Sequence, residues 1–288
     1  MTAKLLVSTE ELAHHLDDPE WLIADCRFTL SRPEEKTEYY LKAHIPGAIY
    51  VHLDRDLSSA VIPGVTGRHP LPAPAEAARR FGKMGIGPRV QIVAYDDQGG
   101  SLAAVRLWFM LRWLGHEAAA VLDGGWQKWV YEDRPVRGEM ETRQEDVFLP
   151  RLRDDLSVSL AQVEALRLDP AYRLFDARAY ERYTGETEPI DPVAGHIPGA
   201  LNAPYTENLT TEGTFRSAAD LRQHYLDLLQ GAPPANAVFY CGSGVTSIHS
   251  QLAMMLAGLD GARIYLGSWS EWIADQQRPV STGPDSVS

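Results

Sequence analysis

A single cysteine lies in a turn of very small residues, within the segment Tyr240-Cys241-Gly242-Ser243-Gly244-Val245-Thr246-Ser247. Because glycine adopts conformations closed to other residues, such a turn can curl and point successive backbone N–H groups inward, where they attract anions. A thiol in that ring, next to a helix N-terminus, has a pKa below its free value of about 8.5 and is more often the nucleophilic thiolate. The alternative is a buried, inert cysteine. That alternative does not explain the small residues of the turn, because an inert cysteine does not require them. The pattern therefore predicts that Cys241 is a nucleophile.

Two regular elements must hold this turn. The apolar run Ala237–Tyr240 predicts a short buried strand, and apolar residues at helical spacing from about Thr246 to Ala257 predict a helix that ends at Gly258. Cys241 then lies where the carboxyl end of a strand passes into a helix N-terminus. In open α/β sheets this is the edge at which ligands bind.

The chain repeats itself at an offset of about 150 residues. The recurring segments, in order, are Trp21–Arg27 and Tyr172–Arg178, Ala43–Ala48 and Gly195–Ala200, Val93–Asp96 and Val238–Cys241, and Leu122–Trp129 and Leu266–Trp272. Strands that alternate with helices in each copy indicate an α/β fold with parallel sheets flanked by helices. The predicted organisation is a first domain over 1–137, a charged linker over 138–157 and a second domain over 158–288, with a disordered polar tail over 281–288.

Further elements are predicted from the same periodicity. The predicted helices are Ser8–Leu16, Pro74–Met84, Leu102–Leu114, Ser159–Leu168 and Ala218–Leu229, and the predicted strands are Gln91–Tyr95, Ala118–Leu122 and Arg263–Leu266.

The two copies differ at the cysteine. Asp96 occupies the position in the first copy that Cys241 occupies in the second. A carboxylate cannot act as a sulfur nucleophile and repels anions from its own loop. We therefore expect the first copy to be inactive and to supply one wall of a cleft between the domains, where sites often lie.

Composition narrows the class of partner and compartment. The net charge of −12 argues against nucleic acid or an anionic membrane as a partner. Two cysteines, Cys26 and Cys241, form no disulfide framework and no metal-binding cluster. No signal peptide is visible before Asp18, and no apolar run approaches the roughly 20 residues of a membrane helix. A cytoplasmic location is expected, where a thiolate stays reduced.

Taken together, the repeated His-Ile-Pro-Gly-Ala segments, the inactive first copy and the Cys241 loop resemble the two-domain rhodanese-type sulfurtransferases, from about Leu5 to Trp272. The loop looks most like that of the 3-mercaptopyruvate branch, since thiosulfate-using relatives tend to carry basic residues just after the cysteine. The resemblance implies tandem rhodanese-like domains, with an active site in the second domain that faces the cleft between them.

This resemblance implies a reaction. The cysteine takes sulfur from a small anionic donor as a persulfide and passes it to a thiol or cyanide acceptor, a thioredoxin-like protein being one candidate. The expected donor is 3-mercaptopyruvate, and thiosulfate is the alternative. No cofactor or metal is expected, because N–H donors can stabilise both thiolate and persulfide.

The resemblance also implies roles for individual residues. Cys241 is the nucleophile, with Ser243, His69 and Asp54 as a proton relay. Donor binding falls to Arg182 and the loop residues Gly242, Gly244, Val245 and Thr246. Ordinary alternatives are a surface position for His69, a helix cap for Asp54 and a solvated ion pair for Arg182.

One departure from the family pattern concerns substrate binding. A second arginine is expected shortly after Arg182, but residues 185–192 contain no arginine and three acids. This departure weakens the assignment of 3-mercaptopyruvate as donor. Arg68, beside His69, is the candidate replacement.

Several recurring residues are interpreted as structural. Arg27 and Arg178 are expected to pair with a carboxylate, and His44 and His196 to hold a turn through an imidazole hydrogen bond. The tryptophans at 126, 129, 269 and 272 are expected to pack in the core, with Trp269 as a candidate for the cleft wall, and Cys26 is expected to be buried and inert.

Two other function classes are alternatives. Cysteine phosphatases on related folds require an arginine six positions after the cysteine, where this chain has Ser247. A sulfur carrier or binding module that does not turn over is compatible with the composition, and it would load once and stall without a partner.

Overall fold

The computed structural model describes residues 4–284. By their internal contacts the described residues form two units, and two short segments belong to the unit opposite their place in the chain. Unit 1 consists of the chain up to Ser59, Leu71–Arg153 and Leu209–Phe215; unit 2 consists of Ala60–Pro70, Asp154–Asn208 and the chain from Arg216.

Unit 1 is built on a five-stranded parallel sheet. Its strands are β1 (Leu6–Val7), β2 (Trp21–Asp25), β3 (Ile49–Tyr50), β4 (Gln91–Tyr95) and β5 (Ala119–Leu122), in the order β1-β5-β4-β2-β3. Its helices are α1 (Thr9–Ala13), α2 (Glu35–Lys42), α3 (Leu53–Asp56), α4 (Pro74–Lys83), α5 (Ala103–Trp113) and α6 (Gly125–Tyr131).

Unit 2 repeats this design. Its strands are β6 (Ser157–Val158), β7 (Arg173–Asp176), β8 (Leu201–Asn202), β9 (Ala237–Tyr240) and β10 (Arg263–Tyr265), in the order β6-β10-β9-β7-β8. Its helices are α7 (Leu160–Leu166), α8 (Tyr180–Thr184), α9 (Ala218–Leu229), α10 (Ser247–Leu256) and α11 (Ser268–Trp272), with 3-10 turns at Tyr205–Asn208 and Pro234–Asn236.

The central strands carry the core of each unit. All four residues of β9 are buried, as are the last four of β4, because helices flank these parallel sheets. Every strand pair is parallel, so the carboxyl ends of β7 and β9 lie at one edge, with Asp176 opposite Tyr240. Cys241 follows directly at that edge. The predicted α/β fold is confirmed.

Most predicted elements are confirmed to within a residue or two, although the structure shortens the Ser8–Leu16 helix to α1. Short helices were missed where the sequence lacks a periodic apolar stripe. In α2, for example, only Tyr40 is buried.

The charged stretch after residue 137 packs along unit 1. The backbone N–H groups of Glu139, Asp146 and Arg151 donate to carbonyls of Leu41, Gly82 and Leu114 at 2.8 to 2.9 Å. The predicted domain boundaries stay a prediction; they did not anticipate the two exchanged segments.

The polar tail was predicted to be disordered, which is wrong for its first residues. Ser281 forms an antiparallel bridge with His196, and the Gly283 N–H donates to the Thr184 carbonyl at 2.7 Å. A Cβ at Gly195 would lie 2.2 Å from the Ser281 carbonyl, so the glycine permits this close approach. Residues 285–288 lie outside the described part of the chain.

The recurring residues are structural, as predicted. Arg27 pairs with Asp25 and Arg178 with Asp176, each pair at 2.5 Å and buried. In both units the histidine Nδ1 lies 2.7 Å from a backbone carbonyl, that of Tyr40 for His44 and of Tyr183 for His196. Of the four recurring tryptophans, Trp129, Trp269 and Trp272 are buried and Trp126 is half-buried.

No helix among residues 4–284 is long and apolar enough to cross a membrane.

Candidate active site

The backbone of Cys241 is held at the end of β9 by α11. Its N–H donates to the Ser268 hydroxyl at 3.1 Å, and its carbonyl accepts the Trp269 N–H at 3.0 Å. Ser268 adopts a left-handed conformation, with φ of 56°, which is costly for a residue with a side chain. In unit 1 the Asp96 carbonyl accepts the Trp126 N–H in the same way. The residue before Trp126 is Gly125, which occupies the position of Ser268 and has φ of 55°. Ser268 thus accepts backbone strain and gives the Cys241 N–H a partner.

The Cys241 thiol is poised to ionise. Burial alone would raise its pKa, but N–H groups of Ser243, Ser247 and Val245 and the Ser247 hydroxyl hydrogen-bond to the sulfur and bring the pKa below its ordinary value. Cys26 is the opposite case: burial, and then the carboxylates of Asp25, Asp96 and Asp56, raise its pKa well above the ordinary value. The prediction that Cys26 is buried is therefore confirmed, and its high pKa fits an inert thiol.

Ser247 was missed as a contributor to the site. Its hydroxyl is fully buried and has no hydrogen bond of ordinary geometry among the described residues, and it lowers the pKa of the nearby Cys241 thiol. A buried hydroxyl without an acceptor is costly, so this one is committed to the sulfur. The available signal was its place as the first residue of α10, directly after the loop.

The loop glycines have different constraints. Gly244 has φ of 71°, and a Cβ there would lie 1.9 Å from the Leu266 carbonyl oxygen, so no other residue fits. At Gly242 the atoms nearest to an added Cβ would be guanidinium nitrogens, 3.1 Å away on Arg68 and 3.7 Å away on Arg182. Gly242 therefore leaves room for two arginines beside the cysteine.

Ser243 and His69 are brought together across 174 positions of sequence. The His69 Nδ1 lies 2.8 Å from the Ser243 hydroxyl, and both side chains are buried. His69 belongs to the exchanged segment Ala60–Pro70 and so to unit 2. The interpretation of His69 as a surface residue is wrong. A buried hydroxyl–imidazole pair next to a thiolate can take up or give a proton.

Arg68 follows the same route into the site. Its backbone N–H donates to the Ser270 hydroxyl at 3.0 Å, and the Ser270 N–H donates to the Gly242 carbonyl at 2.9 Å. A Cβ at Gly67 would lie 2.5 Å from the Gly267 carbonyl, so glycine allows the segment to pass this closely.

Residues 185–192, where a second arginine was expected, instead supply acids that form ion pairs with Arg68 and Arg182. Asp191 accepts from Arg68 Nη1 at 2.5 Å and from Arg182 Nη2 at 3.0 Å. Glu188 accepts from Arg182 Nη2 at 2.8 Å and from Arg178 Nη1 at 3.2 Å. Burial raises the pKa of Glu188, but Arg182 and two backbone N–H groups outweigh it and lower that pKa. The interpretation of Arg182 as a solvated surface ion pair is therefore wrong.

The remaining predicted residues lie in different places. Val245 is buried in the loop and supplies an N–H to the sulfur, and Thr246 is the half-buried residue at the start of α10. Asp54 lies on α3 in unit 1, where its side chain is exposed. Its part in a proton relay stays a prediction.

Unit 1 carries an anion of its own at the corresponding position. The buried Asp96 carboxylate accepts the N–H groups of Gln98, Gly100 and Leu102 at 2.8 to 2.9 Å. Burial raises its pKa to about 6 in spite of these bonds. The same kind of N–H ring that surrounds sulfur in unit 2 therefore encloses a carboxylate in unit 1. Within residues 4–284, no group of three or more His, Cys, Asp or Glu residues could hold a metal ion.

Comparison with known proteins places this geometry in a family. The Rhodanese-like domain family matches residues 8–132 and 159–275. The "Probable 3-mercaptopyruvate sulfurtransferase" of Pseudomonas aeruginosa is 45% identical over 285 residues, which cover 98% of this chain and 100% of that protein. The "Thiosulfate sulfurtransferase" of Rattus norvegicus is 32% identical over 97% of this chain and 96% of its own. The solved "3-mercaptopyruvate sulfurtransferase from Leishmania major" has a TM-score of 0.83 at 31% identity, covering 96% of this chain and 75% of its own. The chain therefore belongs to the rhodanese-like family, with two rhodanese-like domains in tandem.

Proposed function

We propose that this chain is a sulfurtransferase that moves sulfur from 3-mercaptopyruvate to a thiol or cyanide acceptor through a persulfide on Cys241. The observation that carries the proposal is the buried cysteine ringed by N–H donors, with the Ser243–His69 pair and two arginines beside it. Relatives that span nearly the whole chain bear sulfurtransferase names.

The first half-reaction forms the persulfide. The Cys241 thiolate attacks the donor's sulfur, an S–S bond forms, and the C–S bond breaks with its electron pair passing to the enolate of pyruvate. The donor's thiol proton is removed and the enolate carbon is protonated, so persulfide anion and pyruvate are the balanced products. Ser243 and His69 are the proposed carriers of this proton, and placed acid–base groups contribute roughly 10²–10⁴-fold in rate. Asp54 is proposed as the third member of the relay.

The second half-reaction returns the enzyme to its starting state. An acceptor thiolate or cyanide attacks the outer sulfur, the S–S bond breaks, and its electron pair returns to Cys241. The N–H donors that stabilise the thiolate also stabilise the persulfide anion, so neither state requires a metal. A thioredoxin-like protein is a proposed acceptor, and the cytoplasm is the proposed location.

The surroundings of the cysteine favour 3-mercaptopyruvate over thiosulfate. Arg68 Nη2 and Arg182 Nη1 lie beside Gly242 and are the proposed donors to the substrate carboxylate, since hydrogen bonds between charged groups are strong. The loop itself adds no cationic side chain after the cysteine. Arg68 thus replaces the second arginine that the sequence lacks after Arg182. Thiosulfate is the alternative donor, which the rat relative's name supports.

The test is to load the protein with donor in the absence of any acceptor. We expect 3-mercaptopyruvate to add about 32 Da, one sulfur atom, to Cys241 and to release pyruvate, as judged by mass spectrometry of the peptide. Cys241→Ser is the negative control, and Cys26→Ser is the matched control that should load normally. An unmodified Cys241 in excess donor would refute the proposal. Repeated turnover with cyanide or dithiothreitol distinguishes an enzyme from a carrier that loads once.

A further inference from the structure

The two arginines beside Cys241 do not present free charge, because buried acids balance them. Arg68, Arg178 and Arg182 alternate with Asp176, Glu188 and Asp191 in one chain of ion pairs, all joined at 2.5 to 3.2 Å. The formal charges of these six groups sum to zero. The two acids nearest the arginines of the site, Glu188 and Asp191, have side chains only 4% and 2% exposed, so water screens them little.

Within this row of ion pairs, Asp191 joins the two arginines that lie beside Cys241. Each of its two oxygens receives a different arginine, Oδ1 from Arg68 and Oδ2 from Arg182. One carboxylate therefore fixes the separation of the two guanidinium groups that face Gly242. It also cancels one positive charge at that point. Arg68 Nε is buried without a partner among the described residues, so this arginine retains a donor for a bound anion.

We propose that Asp191 is a positioning residue that determines donor specificity, by limiting the site to donors that carry a single negative charge. A monocarboxylate such as 3-mercaptopyruvate adds one charge to a balanced site and meets one guanidinium nitrogen of each arginine beside Gly242. A dianion such as thiosulfate adds two charges close to Asp191, Glu188 and the Cys241 thiolate, and the balanced arginines cannot compensate both. This inference rests on the proposed function and extends it to the choice of donor.

The test compares Asp191→Asn with wild type on both donors. The amide keeps the shape of the side chain and removes its charge, which leaves one uncompensated arginine beside the cysteine. We expect the ratio of kcat/KM for thiosulfate to that for 3-mercaptopyruvate to rise about tenfold or more, since a nearby unit charge acts more strongly on a dianion. Asp227→Asn, on the exposed face of α9, changes the net charge equally and should leave the ratio unchanged.

A second readout does not depend on sulfur transfer. Alkylation of Cys241 by the anion iodoacetate, divided by alkylation by neutral iodoacetamide, reports the local charge. We expect this ratio to rise several-fold in Asp191→Asn and to stay at the wild-type value in Asp227→Asn. If neither donor loads wild-type Cys241, the proposed function fails, whereas the alkylation ratio still tests Asp191.

Two further variants separate the charge of Asp191 from its shape and from the stability of the fold. Asp191→Glu retains the charge, so it should retain the wild-type donor preference even if both rates fall. Should Asp191→Asn not fold, Glu188→Gln removes the other counter-charge and should move both ratios in the same direction. A folded Asp191→Asn or Glu188→Gln protein in which either ratio stays at the wild-type value would overturn the proposal.

Discussion

At the scale of single residues, the two cysteines show how neighbours decide the chemistry of a thiol. Both are buried, yet carboxylates around Cys26 add to the effect of burial, whereas N–H donors around Cys241 reverse it. A cysteine's reactivity follows from the charge and hydrogen bonds it meets rather than from exposure alone. The small residues after Cys241 predict this reactivity from the sequence, whereas Asp96 and Asp56 come close to Cys26 only in the folded chain.

Replacing Ser247 with alanine tests the hydroxyl at the sulfur. Loss of a hydrogen bond to a charged group costs about 1.5–3 kcal/mol, so we expect the pKa of Cys241 to rise by about one unit or more. The rate of iodoacetamide alkylation as a function of pH measures this pKa. Ser250→Ala, a buried serine one turn further along α10, is the matched control and should leave it unchanged. An unaltered pKa in Ser247→Ala would show that the hydroxyl does not act on the sulfur.

At the scale of elements, the strands that carry both loops were predictable because they are short, apolar and buried. The exact limits of β4 and β9 follow from that pattern alone. The short helices α2, α3 and α8 were not predicted, since a helix of four to eight residues shows too few turns for a period to appear. Residues 185–192 were interpreted as a departure from the family pattern. Their role depends on Asp191 meeting Arg68, 123 positions away, which spacing along the chain cannot reveal.

The turn between β9 and α10 depends on Gly244. We expect Gly244→Ala to destabilise the chain by more than the 1–2 kcal/mol that a left-handed alanine costs and to abolish sulfur loading, because the new Cβ would overlap the Leu266 carbonyl. Gly231→Ala is the control: its φ of 87° is equally left-handed, but nothing lies within 4 Å. Chemical denaturation and donor loading measure the two effects. Equal losses of stability in the two variants would contradict the predicted clash.

The loop after β4 predicts a dependence of stability on pH. The pKa of Asp96 is about 6 in the folded chain, whereas an ordinary aspartate has a pKa of 3.8. The folded state therefore binds the carboxyl proton more tightly than the unfolded state does. The free energy of unfolding should therefore decrease as pH rises from about 4 to about 6, by up to roughly 3 kcal/mol, and then level off. Asp96→Asn should remove this component of the pH dependence. Denaturant unfolding of both proteins from pH 4 to pH 7 is the measurement, and identical slopes would contradict the assignment.

At the scale of the whole molecule, the two exchanged segments make each unit depend on residues from both halves of the chain. His69 and Arg68 are encoded in the first half but belong to the unit that contains Cys241. The second half alone keeps the nucleophile and lacks the imidazole and one arginine. The sequence repeat predicted two copies, but nothing in the repeat indicated that each copy lends a segment to the other.

Separate production of the halves tests this dependence. We expect residues 154–288 alone to be slower than the full chain by at least the roughly 10²–10⁴-fold that a placed acid–base group contributes. A full chain with a protease site at residues 153–154, cleaved after folding, is the control and should stay active because both segments remain in place. Full activity of the isolated second half would contradict the assignment of His69 and Arg68 to the site.

The exchange of segments between the two units also constrains how this gene can change. A stop codon or recombination point between the repeats would give two separate products. Each product would lack the segment that the other half supplies to its unit, and each would carry a segment that packs in the other unit. Substitutions that improve catalysis must therefore be compatible with residues on both sides of the duplication.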